Sequence, residues 1–212
     1  MKARPILFNT DMVKAILAGH KTQTRRAVNA DMAANFDEPR GAEDVPAGYP
    51  FVETEDGYVS ALKLCPFGKP GDFLYVREAF AKVPRTAYAQ STGVTKIINP
   101  EDEYQAAIFR AGWERCKPGS WVPSIHMPRW ASRLTLEITD VRVERLQEIS
   151  NEDALAEGIG APLDQRYAAI DAFRPLWNSI YGNWDVNPWV WVVEYKVHHC
   201  NVDALLRERE AA

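Results

Sequence analysis

Lys21 and Thr24 lie three residues apart in the stretch Gly19-His20-Lys21-Thr22-Gln23-Thr24-Arg25-Arg26, and between them they could carry acyl-transfer chemistry. A threonine hydroxyl is a poor nucleophile until a base takes its proton. A lysine can be that base only where burial or neighbouring cations leave it neutral. His20, Arg25 and Arg26 place such cations beside Lys21. The same composition also fits a solvated basic strand edge, since charged edges guard sheets against aggregation. Geometry sets a condition on a shared site. Residues three apart in a regular strand point to opposite faces, so Lys21 must sit in the turn after Gly19, or a bulge must intervene.

The elements that must position these side chains follow from periodicity. Pro5 to Phe8 is a short apolar first strand, and Asn9-Thr10-Asp11 offers capping oxygens to a helix over about 11–18. Met12, Val13, Ala15, Ile16 and Leu17 give that helix an apolar stripe, and Gly19 supplies the left-handed stop. The alternating threonines that follow predict a strand. Residues 29–50, with Gly41, Pro46, Gly48 and Pro50, read as an insertion or loop.

Phe51-Val52 and Tyr58-Val59 flank an Asp-Gly hairpin signal. Pro70-Gly71 fits the centre of a type II turn and launches the strand Phe73 to Glu78. Residues 82–132 form an irregular segment in which Gln105 to Phe109 reads as one strand. Within it, Trp121 to Trp130 holds Ser124, His126, Arg129 and Trp130 with no acid, and reads either as a pocket wall or as core cover.

Leu134, Leu136 and Ile138 alternate, then Val141 and Val143 continue one residue out of phase, which predicts a bulge or corner at Thr139-Asp140. Ser150 and Asp153 form a weak capping box for a helix that ends at Glu157-Gly158. A second helical pattern from Tyr167 to Ile180 is expected to break or kink at Pro175. The last strand, Trp189 to Val197, puts Trp191, Val193 and Tyr195 on one face; a charged helix or frayed tail follows from Asn201.

Charge bounds the ligand. Net charge is −4, against a protein that coats long nucleic acid, yet residues 1–26 carry six basic side chains against the single acid Asp11. A focused positive pocket is therefore expected, sized for a small anionic or nucleotide-like ligand. No stretch reads as a membrane span or secretory leader. Cys65, Cys116 and Cys200 are odd in number and widely spaced, which suggests a reducing cytoplasm. His198-His199-Cys200 lacks companions for a tetrahedral metal set, so neither metal nor cofactor is expected.

Three pieces resemble the ASCH (activating signal cointegrator homology) family in order: Gly19 to Arg25, Pro70 to Glu78, and Trp189 to Tyr195. The chain looks like one of the longer members of the kind met in phage and prophage genomes. The resemblance implies an α+β fold, a PUA-like mixed β-barrel with short helices packed around it. It implies one domain over 1–212, with the insertion near 29–50 and the irregular segment near 82–132.

It also implies a modified nucleoside or short RNA as partner. Small relatives are amidohydrolases that deacylate the exocyclic amine of acetylated cytidine. Their lysine, threonine and later glutamate correspond here to Lys21, Thr24 and Glu157. His20, Arg25, Arg26, Glu78, Ser124, His126, Arg129 and Trp130 complete the candidate substrate contacts. Independently, a carboxylate at a helix C-terminus opposes the dipole, which would raise its pKa and help it donate a proton. The alternatives are a non-catalytic module whose Lys21, Arg25, Arg26 and Arg129 hold phosphates while a tryptophan stacks a base, or a ribonuclease.

Overall fold

The computed structural model describes residues 1–36, 50–55, 57–115, 118–160 and 168–211. In chain order the elements begin with β1 (Ala3–Leu7), α1 (Thr10–Leu17), β2 (Gln23–Ala27) and α2 (Ala30–Ala33). Next come β3 (Phe51–Thr54), β4 (Gly57–Ser60), β5 (Phe73–Arg77), β6 (Phe80–Pro84), β7 (Ile97–Asn99) and β8 (Asp102–Phe109). The chain closes with β9 (Thr135–Arg145), α3 (Asn151–Ala156), α4 (Ala169–Ile180), β10 (Trp189–His198) and α5 (Val202–Ala211). The class is α+β with mixed sheets. No helix among the described residues is long and apolar enough to cross a membrane.

Two compact units divide the chain: Met1–Ala18, Gly71–Glu137 and Lys196–Ala212 form the first, and Gly19–Pro70 with Ile138–Tyr195 the second. In the first unit β1 runs parallel to β5, and β5 pairs antiparallel with the start of β9. Asn9 caps α1 by accepting from the Met12 N–H. Phe73 packs with Val202 and Leu205 of α5. The apolar spacing of the tail thus gives a docked helix and not a frayed end.

A separate three-stranded sheet, β6-β8-β7, lies in the segment expected to be mostly loop. Its extra strands escape periodicity because β7 has three residues and β6 ends on Pro84, where the missing N–H is tolerated only at an edge or end. Phe80, Ala107, Phe109, Met127 and Ala131 make the core beneath it.

In the second unit β2 pairs antiparallel with β10, Thr24 opposite Val193 and Arg25 opposite Val192. The expected hairpin forms between β3 and β4. Most of the expected insertion, residues 37–49, lies outside the described residues, as do Asp56 and Tyr167. Phe173 and Trp177 of α4 pack on Leu146, Ile149, Ala154, Val190 and Val192.

Two expectations need correction. Of the break or kink expected at Pro175, the break does not occur: helix α4 runs through that residue without ending. Pro175 and Asp171, whose carbonyl loses its intrahelical donor, both lie on the exposed side, where water can serve that carbonyl. The closed barrel does not form among the described residues, because β1 pairs only with β5 and β2 only with β10. The phase slip in β9 is present: Thr139 and Asp140 are both exposed between buried Ile138 and buried Val141.

Candidate functional site

The second unit brings Lys21, Thr24, Arg25 and Glu157 into its interior. Gly19, at φ +75, closes the turn after α1, and Lys21 follows as an isolated bridge opposite Glu157, ahead of β2. Lys21 therefore sits between turn and strand. The backbone at Thr22 is irregular in an informative way. Its N–H donates to the Ala156 carbonyl at 2.9 Å, while its own carbonyl accepts from the Tyr195 N–H at 3.0 Å. In a regular antiparallel pair one residue exchanges both bonds with one partner. The side chains of Lys21, Gln23 and Arg25 nonetheless all reach α3, so two-residue alternation runs from Lys21 into β2 and Thr24 belongs to the other face of the strand.

Glu157 is carried to Lys21 by α3. Ser150 and Asp153 form the capping box at its start, Glu157 is its C-cap, and Gly158 at φ +87 turns the chain away. Lys21 Nζ donates to the Glu157 carboxylate at 2.7 Å and to the Glu157 carbonyl at 2.8 Å. Both residues are buried, at 0% and 5% exposure, and Thr24 is at 1%. Burial pushes the Lys21 pKa below the ordinary lysine range. The Glu157 charge opposes this, and Arg26 and Arg25 add to the lowering.

Around this pair lies a charged network that motif reading missed. Arg25 Nη2 donates to Glu144 at 2.6 Å and to Asp153 at 2.9 Å, and Arg25 Nη1 reaches Glu157 at 3.5 Å. Arg142 bridges Glu144 at 3.0 Å and Asp153 at 2.8 Å, and also pairs with Glu194. Gln23 Nε2 donates to the Asp153 carbonyl at 2.8 Å. Helix α3 is thus held to β2 at both ends. The alternation of Val141 and Val143 signals that Arg142 and Glu144 face the other way, but nothing in the sequence pairs them with Arg25.

The expected focused positive pocket is corrected by this network. Lys21 and Arg25 are enclosed by carboxylates from β9 and α3. His20 is exposed and Arg26 half-buried. Arg26 bears on both Lys21 and Tyr195 electrostatically.

The other candidate contacts belong to the first unit. Glu78 is buried and forks onto Arg133 at 2.8 and 3.0 Å; burial raises its pKa, and Arg133 opposes the rise. Arg133 also lies 4.2 Å from the Phe109 ring centroid. Arg129 pairs with Asp203 at 2.7 and 3.0 Å and covers Tyr75. Trp130 packs on the Phe80–Phe109 core, and Asn201 donates to the carbonyls of Arg129, Trp130 and Ser132. The Arg129–Trp130 part of the wall is therefore core cover. Ser124 is half-buried and His126 exposed in a short 3-10 turn.

His198 pairs with Glu137 at 2.8 Å, and the Cys200 carbonyl accepts from Thr135. Among the described residues no group of His, Cys, Asp and Glu is arranged to hold a metal ion. Compared with protein-family models, curated proteins and solved structures, the chain has no match.

Proposed function

We propose that this chain is an ASCH-type amidohydrolase that deacylates an N-acylated cytidine-type nucleoside, with Thr24 as nucleophile, Lys21 as base and Glu157 as acid. The observation that carries the reading is the buried 2.7 Å contact between Lys21 Nζ and Glu157 Oε2. Burial favours the neutral amine of Lys21 over its ammonium. The amine form is the one that can take a proton from Thr24.

The steps balance. Thr24 Oγ bonds to the acyl carbon as its proton passes to Lys21. The bond from that carbon to the exocyclic nitrogen breaks, and Glu157 protonates the departing amine. Water then attacks the Thr24 ester, giving its proton to the Glu157 carboxylate, while Lys21 returns a proton to the threonine oxygen. The pair ends as it began, amine and acid. Positioned acid–base groups of this kind contribute about 10²–10⁴-fold each.

A phosphate-binding module is less well supported, because Lys21, Arg25 and Arg129 are each engaged by carboxylates. The test is product analysis after incubation with N-acylated cytidines and short RNAs. Cytidine and free acid are expected, and Thr24→Val, which keeps shape and deletes the hydroxyl, should bind substrate without turning it over. Cleaved RNA without deacylation, or binding with no turnover by the unaltered protein, would sink the proposal.

A further inference from the structure

Tyr195 is a buried ionisable group that the scheme above leaves unused. Its position follows from the β2–β10 register. Val193 stands opposite Thr24, and Tyr195 lies two residues further along the same face of β10. Its side chain is therefore a diagonal neighbour of Thr24, at a separation of about 7–8 Å that long aromatic side chains span. The phenol crosses β2 and donates to the carbonyl of Gln23 at 3.4 Å, the carbonyl of the peptide that carries the Thr24 nitrogen. The Tyr195 hydroxyl is thus held beside the nucleophile's own backbone.

We infer that the Tyr195 hydroxyl is the hydrogen-bond donor for the oxyanion that forms when Thr24 attacks the acyl carbon, an inference that rests on the amidohydrolase reading. Two observations support a donor role. The resting bond is long, since O–H···O bonds cluster near about 2.7–2.8 Å, so the hydroxyl is weakly committed and free to turn to a stronger acceptor. A developing oxyanion is such an acceptor, because charge-assisted bonds are roughly twice as strong as neutral ones. Burial, and after it the nearby Glu157 charge, push the phenol pKa well above the ordinary tyrosine range, so it remains a protonated donor throughout the working pH range. The role also explains a tyrosine where phenylalanine would fill the same core volume.

The experiment is Tyr195→Phe, which keeps the ring and removes one oxygen. Loss of an oxyanion donor lowers kcat by about 10²–10³-fold. KM for N4-acetylcytidine should hold, because the interaction exists only in the transition state. Affinity for a phosphonamidate analogue of the tetrahedral intermediate should fall with kcat. Affinity for intact substrate, measured in the Thr24→Val background, should stay put, which a merely structural role would not produce. 3-Fluorotyrosine at 195, which keeps the hydroxyl, should restore turnover. Unchanged kcat in Tyr195→Phe, with Thr24→Val inactive, would overturn this inference alone. No deacylation by the unaltered protein would overturn the amidohydrolase reading and this inference with it.

Discussion

Each unit buries a cation against a glutamate, and the two pairs differ in what they can do. In the first unit Arg133 forks onto Glu78 through two nitrogens. Guanidinium does not deprotonate in proteins, so this pair can hold its neighbours but cannot pass a proton. In the second unit a lysine meets Glu157 with a single nitrogen, at a point where strand pairing is irregular. Its ammonium is already pushed toward neutrality by burial. Buried ion pairs are weak contributors to stability, because desolvation offsets much of the attraction. What distinguishes the second pair is a cation that can lose its proton.

The sharpest break of that contrast is Lys21→Arg, which gives the second unit the kind of pair the first one has. Charge and the capacity to bind Glu157 remain, and only the neutral form is lost. We expect turnover to fall by about 10²–10⁴-fold, the worth of a positioned base. Substrate affinity should be largely kept. Because Lys21 is fully enclosed, the larger guanidinium could strain the site, and Glu157→Gln provides the matching deletion from the other side. If steady-state deacylation persisted at near-normal rates in both variants, the Lys21–Glu157 pair would have no part in the chemistry.

The pair of the first unit is sharpened by Arg133→Met. Removing one partner of a buried pair costs about 3–5 kcal/mol, because the remaining charge is uncompensated. Burial already raises the Glu78 pKa, with Arg133 opposing, and without Arg133 the rise is greater. A carboxyl whose folded-state pKa is raised favours folding while it is protonated and loses that contribution as pH rises through the folded value. The variant should therefore be most destabilised near neutral pH and recover as the solution is acidified toward the usual glutamate range. Urea midpoints at a series of pH values would show it. An equal loss at every pH would mean that packing over Phe109, and not the Glu78 charge, sets the cost.

Local signals carried much of the fold, and the long-range ones carried the site. The Asp-Gly hairpin, the Ser150–Asp153 capping box, the phase slip at Thr139-Asp140 and the alternation of the last strand were each readable within about ten residues. Their causes are local: turn conformations, orphan N–H groups and the two-residue period of strands. Lys21, Thr24 and Glu157 were legible as residue types in a motif. The contacts of Arg142, Glu144 and Tyr195 were not, since Arg25–Glu144 and Tyr195–Gln23 depend on strand register, which joins positions more than a hundred residues apart. The error about the positive pocket has the same origin. Counting charge along residues 1–26 could not foresee the carboxylates that β9 and α3 bring to Lys21 and Arg25. Pro175 does not end α4 because a proline on the solvent side of a helix costs less than the same proline against a core.

The smallest expected effect, and the one that bears most directly on which cations meet ligand, is at Arg129. Its sequence context, between tryptophans and with no acid nearby, made it a candidate phosphate contact. In the fold its guanidinium pairs through two nitrogens with Asp203, at the first turn of α5, and rests on Tyr75. Both members of that bridge are more than a third exposed, and such bridges are worth at most about 1 kcal/mol. Arg129→Met keeps an unbranched apolar stem over Tyr75 and removes only the charge. Its thermal midpoint should therefore shift little, and ligand affinity should not shift at all. The salt dependence of binding separates the two roles: losing a true phosphate contact would lower the log–log slope by about one. An unchanged slope would assign Arg129 to the docking of α5. A reduced slope would return it to the ligand, together with the first unit's aromatic segment.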